Sequence, residues 1–168
     1  MKIHRFLFLF TILSISIFSS KAMEPVKNAS TIRYYLESAL EESDLVNEKY
    51  QTVSTVFYSS YFVNVCQWAG WEPNKASAMT MRANGSRNLF GGIQGHLENA
   101  VIEAAKSNSK KLIDTIMSAK GWAKRAEENC LLALHSQSES EYEQYMTWAL
   151  NQNKEIKKEL RRAIALLK

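Results

Sequence analysis

From Tyr142 to Leu167 apolar side chains return every three or four residues: Tyr142, Met146, Ala149, Ile156, Leu160, Ala163 and Leu167. Asn153 is the one polar residue on that stripe. Such a spacing is satisfied by an α-helix that buries one face against other helices, and not by a strand, whose side chains alternate. A polar residue on the seam fixes register or pairing at some cost in stability. Ahead of the stripe, Ser136–Ser140 is a polar linker, and Ser138 followed by Glu141 has the form of a capping box.

The same spacing recurs upstream. Ile32, Leu36, Ala39, Val46, Tyr50, Val53 and Phe57, with Ser43 in a polar slot, predict a helix capped by Ser30 or Thr31 and running to about Ala69. The acidic stretch Glu41–Asp44 is a candidate kink. Beyond Tyr50 the helix becomes apolar on most sides, through Tyr58, Tyr61, Phe62, Val63 and Val65, as expected of a helix enclosed by several neighbours. A further pattern begins near His96: Leu97, Val101, Ala104, Leu112, Ile116, Ala119, Ala123, Ala126, Cys130 and Ala133. It crosses the polar Ser107-Asn108-Ser109, so one bent helix or two shorter ones both fit.

Between these patterns the spacing reads as broken. Pro73 blocks continuation after Trp68 and Trp71, and Asn74 caps a short helix over Lys75–Ala83. Asn84-Gly85 is a turn signal, and Arg87–His96, with Gly91, Gly92 and Gly95, reads as an irregular loop. No strand alternation is present. The expected fold is all-α, an antiparallel bundle of three long helices plus a short helix, stapled by one disulfide.

The disulfide expectation follows from the start of the chain. Lys2, His4 and Arg5 precede an apolar run from Phe6 to Phe18, and Ser20-Lys21-Ala22 places small residues at a cleavage site. Residues 1–22 are therefore expected to be a signal peptide, and 23–168 a single helical domain, secreted or periplasmic, without membrane insertion after cleavage. Cys66 and Cys130 then enter an oxidising compartment with only one pairing open to them. Closing that loop stabilises by about 4 kcal/mol in the chain-entropy model. Losing Lys2, Arg5 and Lys21, and no acid, lowers the formal charge from +4 to +1. A near-neutral chain lacks the basic stripe that a nucleic acid requires.

Reactive groups are few. Beyond the leader the histidines are His96 and His135, and no metal, phosphate-loop or nucleophile motif is present. His96 reads as a helix-terminal residue; its enzymatic use would need a distant carboxylate brought close by folding. His135 reads as a helix-end cation. Asn28 and Asn84 open glycosylation sequons, which matter only in a eukaryotic secretory route. No cofactor is expected.

The remaining candidates for a site are Trp68, Trp71, Leu89, Phe90 and Ile93, large apolar residues on an irregular connection where a partner could meet them. The function expected from sequence is an exported, non-enzymatic helical protein that binds a protein partner, as an inhibitor, immunity factor, adaptor or secretion-system component. The alternative is a small-molecule or lipid carrier with an apolar cavity between helices.

Overall fold

The structure, a computed structural model, describes residues 26–57 and 75–168. Within them the three-and-four spacing is realised as four long helices: α1 (Ala29–Phe57), α2 (Lys75–Ala105), α3 (Lys110–Leu134) and α4 (Glu139–Ala165). No strand occurs among the described residues. Each helix turns its stripe inward. All the α4 stripe positions from Tyr142 to Leu167 are buried, as are Leu112, Ile116, Ala119, Ala123, Ala126, Cys130 and Ala133 of α3. From α1 come Ile32, Leu36, Ala39, Ser43 and Val46.

Cross-helix contacts set the topology. Lys120 lies 3.3 Å from Glu98 and Gln94 donates to Glu127 at 2.7 Å, so α2 and α3 run antiparallel. Ser43 meets Asn153 while Tyr50 meets Glu143, which makes α1 and α4 antiparallel as well. Asn28 Nδ2 donates to Glu103 Oε2 at 3.0 Å, tying the start of α1 to the end of α2. The result is an up-down-up-down bundle in which each helix packs on its neighbours in sequence. The ring closes where α1 touches α4, much the thinnest of the four contacts.

The main departure from the sequence expectation is α2. Neither a turn at Asn84-Gly85 nor an irregular loop over Arg87–His96 exists; both lie inside one continuous helix. The count is therefore four long helices, not three and a short one. The reason is energetic. Ala83, Ser86, Phe90, Ile93, Leu97, Ala100 and Ala104 hold the same three-and-four spacing through the glycines, and all are buried. Each glycine costs about 1 kcal/mol in a helix interior. Burying each of Phe90, Ile93 and Leu97 returns roughly 1.5–3 kcal/mol. Packing wins.

The ends follow local chemistry. Ser138 caps α4, its Oγ accepting from the Glu141 N–H at 3.2 Å, and Glu141 Oε2 accepts from the Gln137 N–H. His135 is the exposed C-cap of α3. The polar patch after Ala105 is a chain reversal rather than a bend: Asn108 adopts φ 55° and the Ser107 hydroxyl donates to Ala104 O. Asparagine tolerates that left-handed geometry better than most residues. Asn28, at φ 60°, precedes α1, so this helix begins slightly upstream of Ser30 and Thr31. No break occurs at Glu41–Asp44. The reading of α1 to Ala69, Pro73, the Asn74 cap and the leader lie outside the described residues.

Gly91 and Gly95 are exposed and a side chain at either would enter open space. Gly91→Ala and Gly95→Ala are each expected to raise stability by about 0.5–1 kcal/mol. At Gly92 an added Cβ would collide with the Glu42 carboxylate, so Gly92→Ala is expected to gain less than either. Urea unfolding midpoints of the three variants check this ranking.

Candidate functional site

Of the residues expected to meet a partner, Phe90 and Ile93 are wholly enclosed in the core and Leu89 is partly buried against it. Regular helix in place of a loop turns the Phe90 and Ile93 side chains inward, so neither presents a surface. Trp68, Trp71 and Cys66 lie outside the described residues. Cys130 is in the core on α3, where burial pushes its thiol pKa up to about 12, with Glu127 adding and Arg87 opposing. Among the described residues its sulfur has no sulfur partner.

Large apolar side chains are exposed on every helix, Tyr34 on α1 and Met81 and Ile102 on α2 among them, but the exposed tryptophan lies along the outer edge of α3 and α4. Asn129 Nδ2 donates to Gln152 Oε1 at 2.9 Å and sets the register there. One turn onward, Leu132 follows Asn129 and Trp148 precedes Gln152 on the same faces. Leu132 is 47% and Trp148 46% exposed. The Tyr145 ring sits edge-on to Trp148, centroids 5.6 Å apart and planes at 78°. Two turns back along the same α3 face, Trp122 is partly buried under the Arg125 guanidinium, 4.0 Å from its centroid. The edge thus carries two tryptophans, a tyrosine and an arginine, each aromatic held by a neighbour. Those residue types dominate binding energy at protein interfaces because they bury much area at small entropic cost. Sequence reading passed over Trp148; the available signal was a tryptophan directly beside, and not on, the α4 stripe.

Folding does bring a carboxylate to His96. Glu42 Oε1 of α1 lies 3.6 Å from His96 Nε2, beyond hydrogen-bond reach, and the Tyr35 ring stands 6.5 Å from the imidazole. The other oxygen, Glu42 Oε2, is buried with no partner among the described residues. Gly92 makes room for this carboxylate, one place where the absence of a side chain permits a close approach. Neither a nucleophile nor a third ligand joins the pair: no group of three His, Cys, Asp or Glu that could hold a metal occurs among the described residues. The pair can tie α1 to α2.

A second polar group lies nearer the other end of α1. The Tyr142 hydroxyl donates to Met79 O at 2.9 Å, the Tyr50 hydroxyl to Glu143 at 3.2 Å, and Arg82 lies over the Tyr50 ring at 5.3 Å. Burial raises the pKa of both tyrosines, so both hydroxyls stay protonated donors. Over α3 and α4 an open depression of about 520 Å³ is lined by Lys110, Lys111, Asp114, Ser118, Glu159 and Arg162. Open to solvent and ringed by charged side chains, it is not the enclosed apolar cavity that an apolar ligand needs. No helix among the described residues is long and apolar enough to cross a membrane.

Comparison of the chain with protein-family models, with curated proteins and with solved structures returned no match.

Removing a buried phenyl ring leaves a cavity that neighbours fill only in part. Phe90→Ala is expected to cost about 3–5 kcal/mol and Ile93→Ala about 2–5 kcal/mol of folding stability. Trp148→Ala, at the surface, is expected to cost less than about 1 kcal/mol. Chemical unfolding of the three variants separates core from surface.

Proposed function

We propose that the chain is an exported, non-enzymatic helical protein that binds a protein partner, as an inhibitor, immunity factor, adaptor or secretion-system component, and that it does so through the outer edge of α3 and α4. The observation that carries this reading is Trp148, half exposed and braced by Tyr145, one turn from the Asn129–Gln152 bond between α3 and α4, with Trp122 under Arg125 on α3. An exposed tryptophan held in one orientation loses little freedom on binding, which is what makes such residues anchors. The leader-like start of the chain supports export. The carrier reading has no comparable feature among the described residues.

A photo-crosslinker at Leu132 in cells producing the full chain is expected to trap a discrete partner. Trp148→Ala is expected to weaken that complex about 30-fold, the equivalent of a 2 kcal/mol hot spot. Undiminished trapping by the variant would remove the edge from consideration.

Cys66 and Cys130 are proposed to form a disulfide in the exported protein. Thiolate is the attacking species in disulfide formation, and the buried Cys130 thiol is held protonated in the folded core. The bridge therefore forms before the core closes around it. Peptide mapping without reductant is expected to recover the two cysteines as one cross-linked pair. Reduced, folded protein is expected to regain the bridge with oxidised glutathione at neutral pH far more slowly than denatured protein does.

A further inference from the structure

The four sides of the bundle are not equivalent. Along α2–α3 the buried middle is apolar, Phe90, Ile93 and Leu97 being in one core with Ala119, Ala123 and Ala126, while the ion pair Glu98–Lys120 stays at the rim. The α1–α4 side is much the thinnest contact; apolar side chains of both helices join the common core, and polar pairs cross the seam between them. In its buried middle the Ser43 hydroxyl donates to Asn153 Oδ1 at 2.6 Å, and Asn153 Nδ2 donates back to Ser43 O at 2.8 Å. Both residues are fully enclosed and stand on stripe positions. To either side, Lys157 reaches Asp44 at 2.7 Å and Tyr50 reaches Glu143 at 3.2 Å.

This chemistry changes what separation costs. When an apolar contact opens, bare hydrocarbon meets water. When these polar groups part, each exchanges its protein partner for a water molecule, so most of the hydrogen-bond energy is recovered and the cost of opening is set by the apolar area of a thin seam. Meanwhile α1 is held to α2 by a broad contact, by Asn28–Glu103 at one end and by Arg82 over Tyr50 toward the other. Loosening its grip on α4 therefore need not detach it from the bundle.

We propose that the bundle opens along the α1–α4 seam as a discrete native-state event, with the Ser43–Asn153 pair as its latch. Helix α1 swings on α2 while α2, α3 and α4 stay packed, and the event gives transient access to the core face of α1. Local openings of lower free energy than global unfolding are a general property of folded chains, and here one side is built to supply them. The inference stands apart from the proposed partner edge, which lies on α3 and α4 and is exposed with the seam closed.

The test is thiol labelling under native conditions. Ala39, fully buried on α1, is replaced in the otherwise unchanged, reduced chain by Ala39→Cys, and labelling is followed site by site with a small alkylating reagent. Buried Cys130 on α3 serves as the internal reference, each rate being normalised to that of the same site in denaturant. The thiol introduced by Ala39→Cys is expected to react at least about tenfold faster than Cys130. Adding Ser43→Val with Asn153→Leu, which removes both halves of the latch, is expected to slow the first site about tenfold and leave Cys130 unchanged. Equal labelling of both sites at the global unfolding rate would overturn the proposal, as would a latch replacement that slows both alike. Should Ala39→Cys disturb packing, Val46→Cys at the next enclosed apolar position gives the same reading.

Discussion

Phe90, Ile93 and Leu97 hold a glycine-bearing segment in helical form, and the rest of the bundle depends on that result. Without a continuous α2 there would be no broad wall for α1 to lie on, and no antiparallel partner for the alanine-rich face of α3. The balance is set by magnitudes. Glycine's backbone freedom costs about 1 kcal/mol per residue, whereas enclosing a large apolar side chain returns more. With the stripe unbroken from Ala83 to Ala104, burial has the larger total.

Once that wall exists, the polar residues of α1 acquire partners far away in the chain. Glu42 lies over Gly92 toward His96, and Ser43 joins Asn153. These contacts differ in character. The Ser43–Asn153 pair satisfies itself with two reciprocal hydrogen bonds in a fully enclosed site. Glu42 keeps one oxygen buried without a partner among the described residues, in space that the glycine at position 92 leaves open. Adjacent residues of one helix thus serve two different seams, one toward α2 and one toward α4.

The proposed partner surface differs from the one the sequence suggests for the same reason that the expected loop is a helix. Large apolar residues such as Leu89, Phe90 and Ile93 need an explanation in a loop; in a helix facing its neighbours they have one. In the sequence Trp148 lies next to a regular stripe, and a neighbour of core reads locally as more core. Its exposure depends on how α4 is registered against α3, which Asn129–Gln152 marks and no local pattern reveals.

Periodicity alone determined that the chain is helical, which faces of α1, α3 and α4 are enclosed, that Ser138 starts the last helix and that Asn153 sits on a seam. Those properties are local: three-and-four spacing and capping chemistry act within a few residues. Tertiary structure decided that Gly85–Gly95 is helix, that the chain reverses at Asn108, which carboxylate reaches His96 and which tryptophan remains at the surface. Each of these is a competition between a local preference and burial against a distant segment. Its outcome is set by how much area the neighbouring helices enclose, a quantity that belongs to the packed bundle and not to any one stretch of chain.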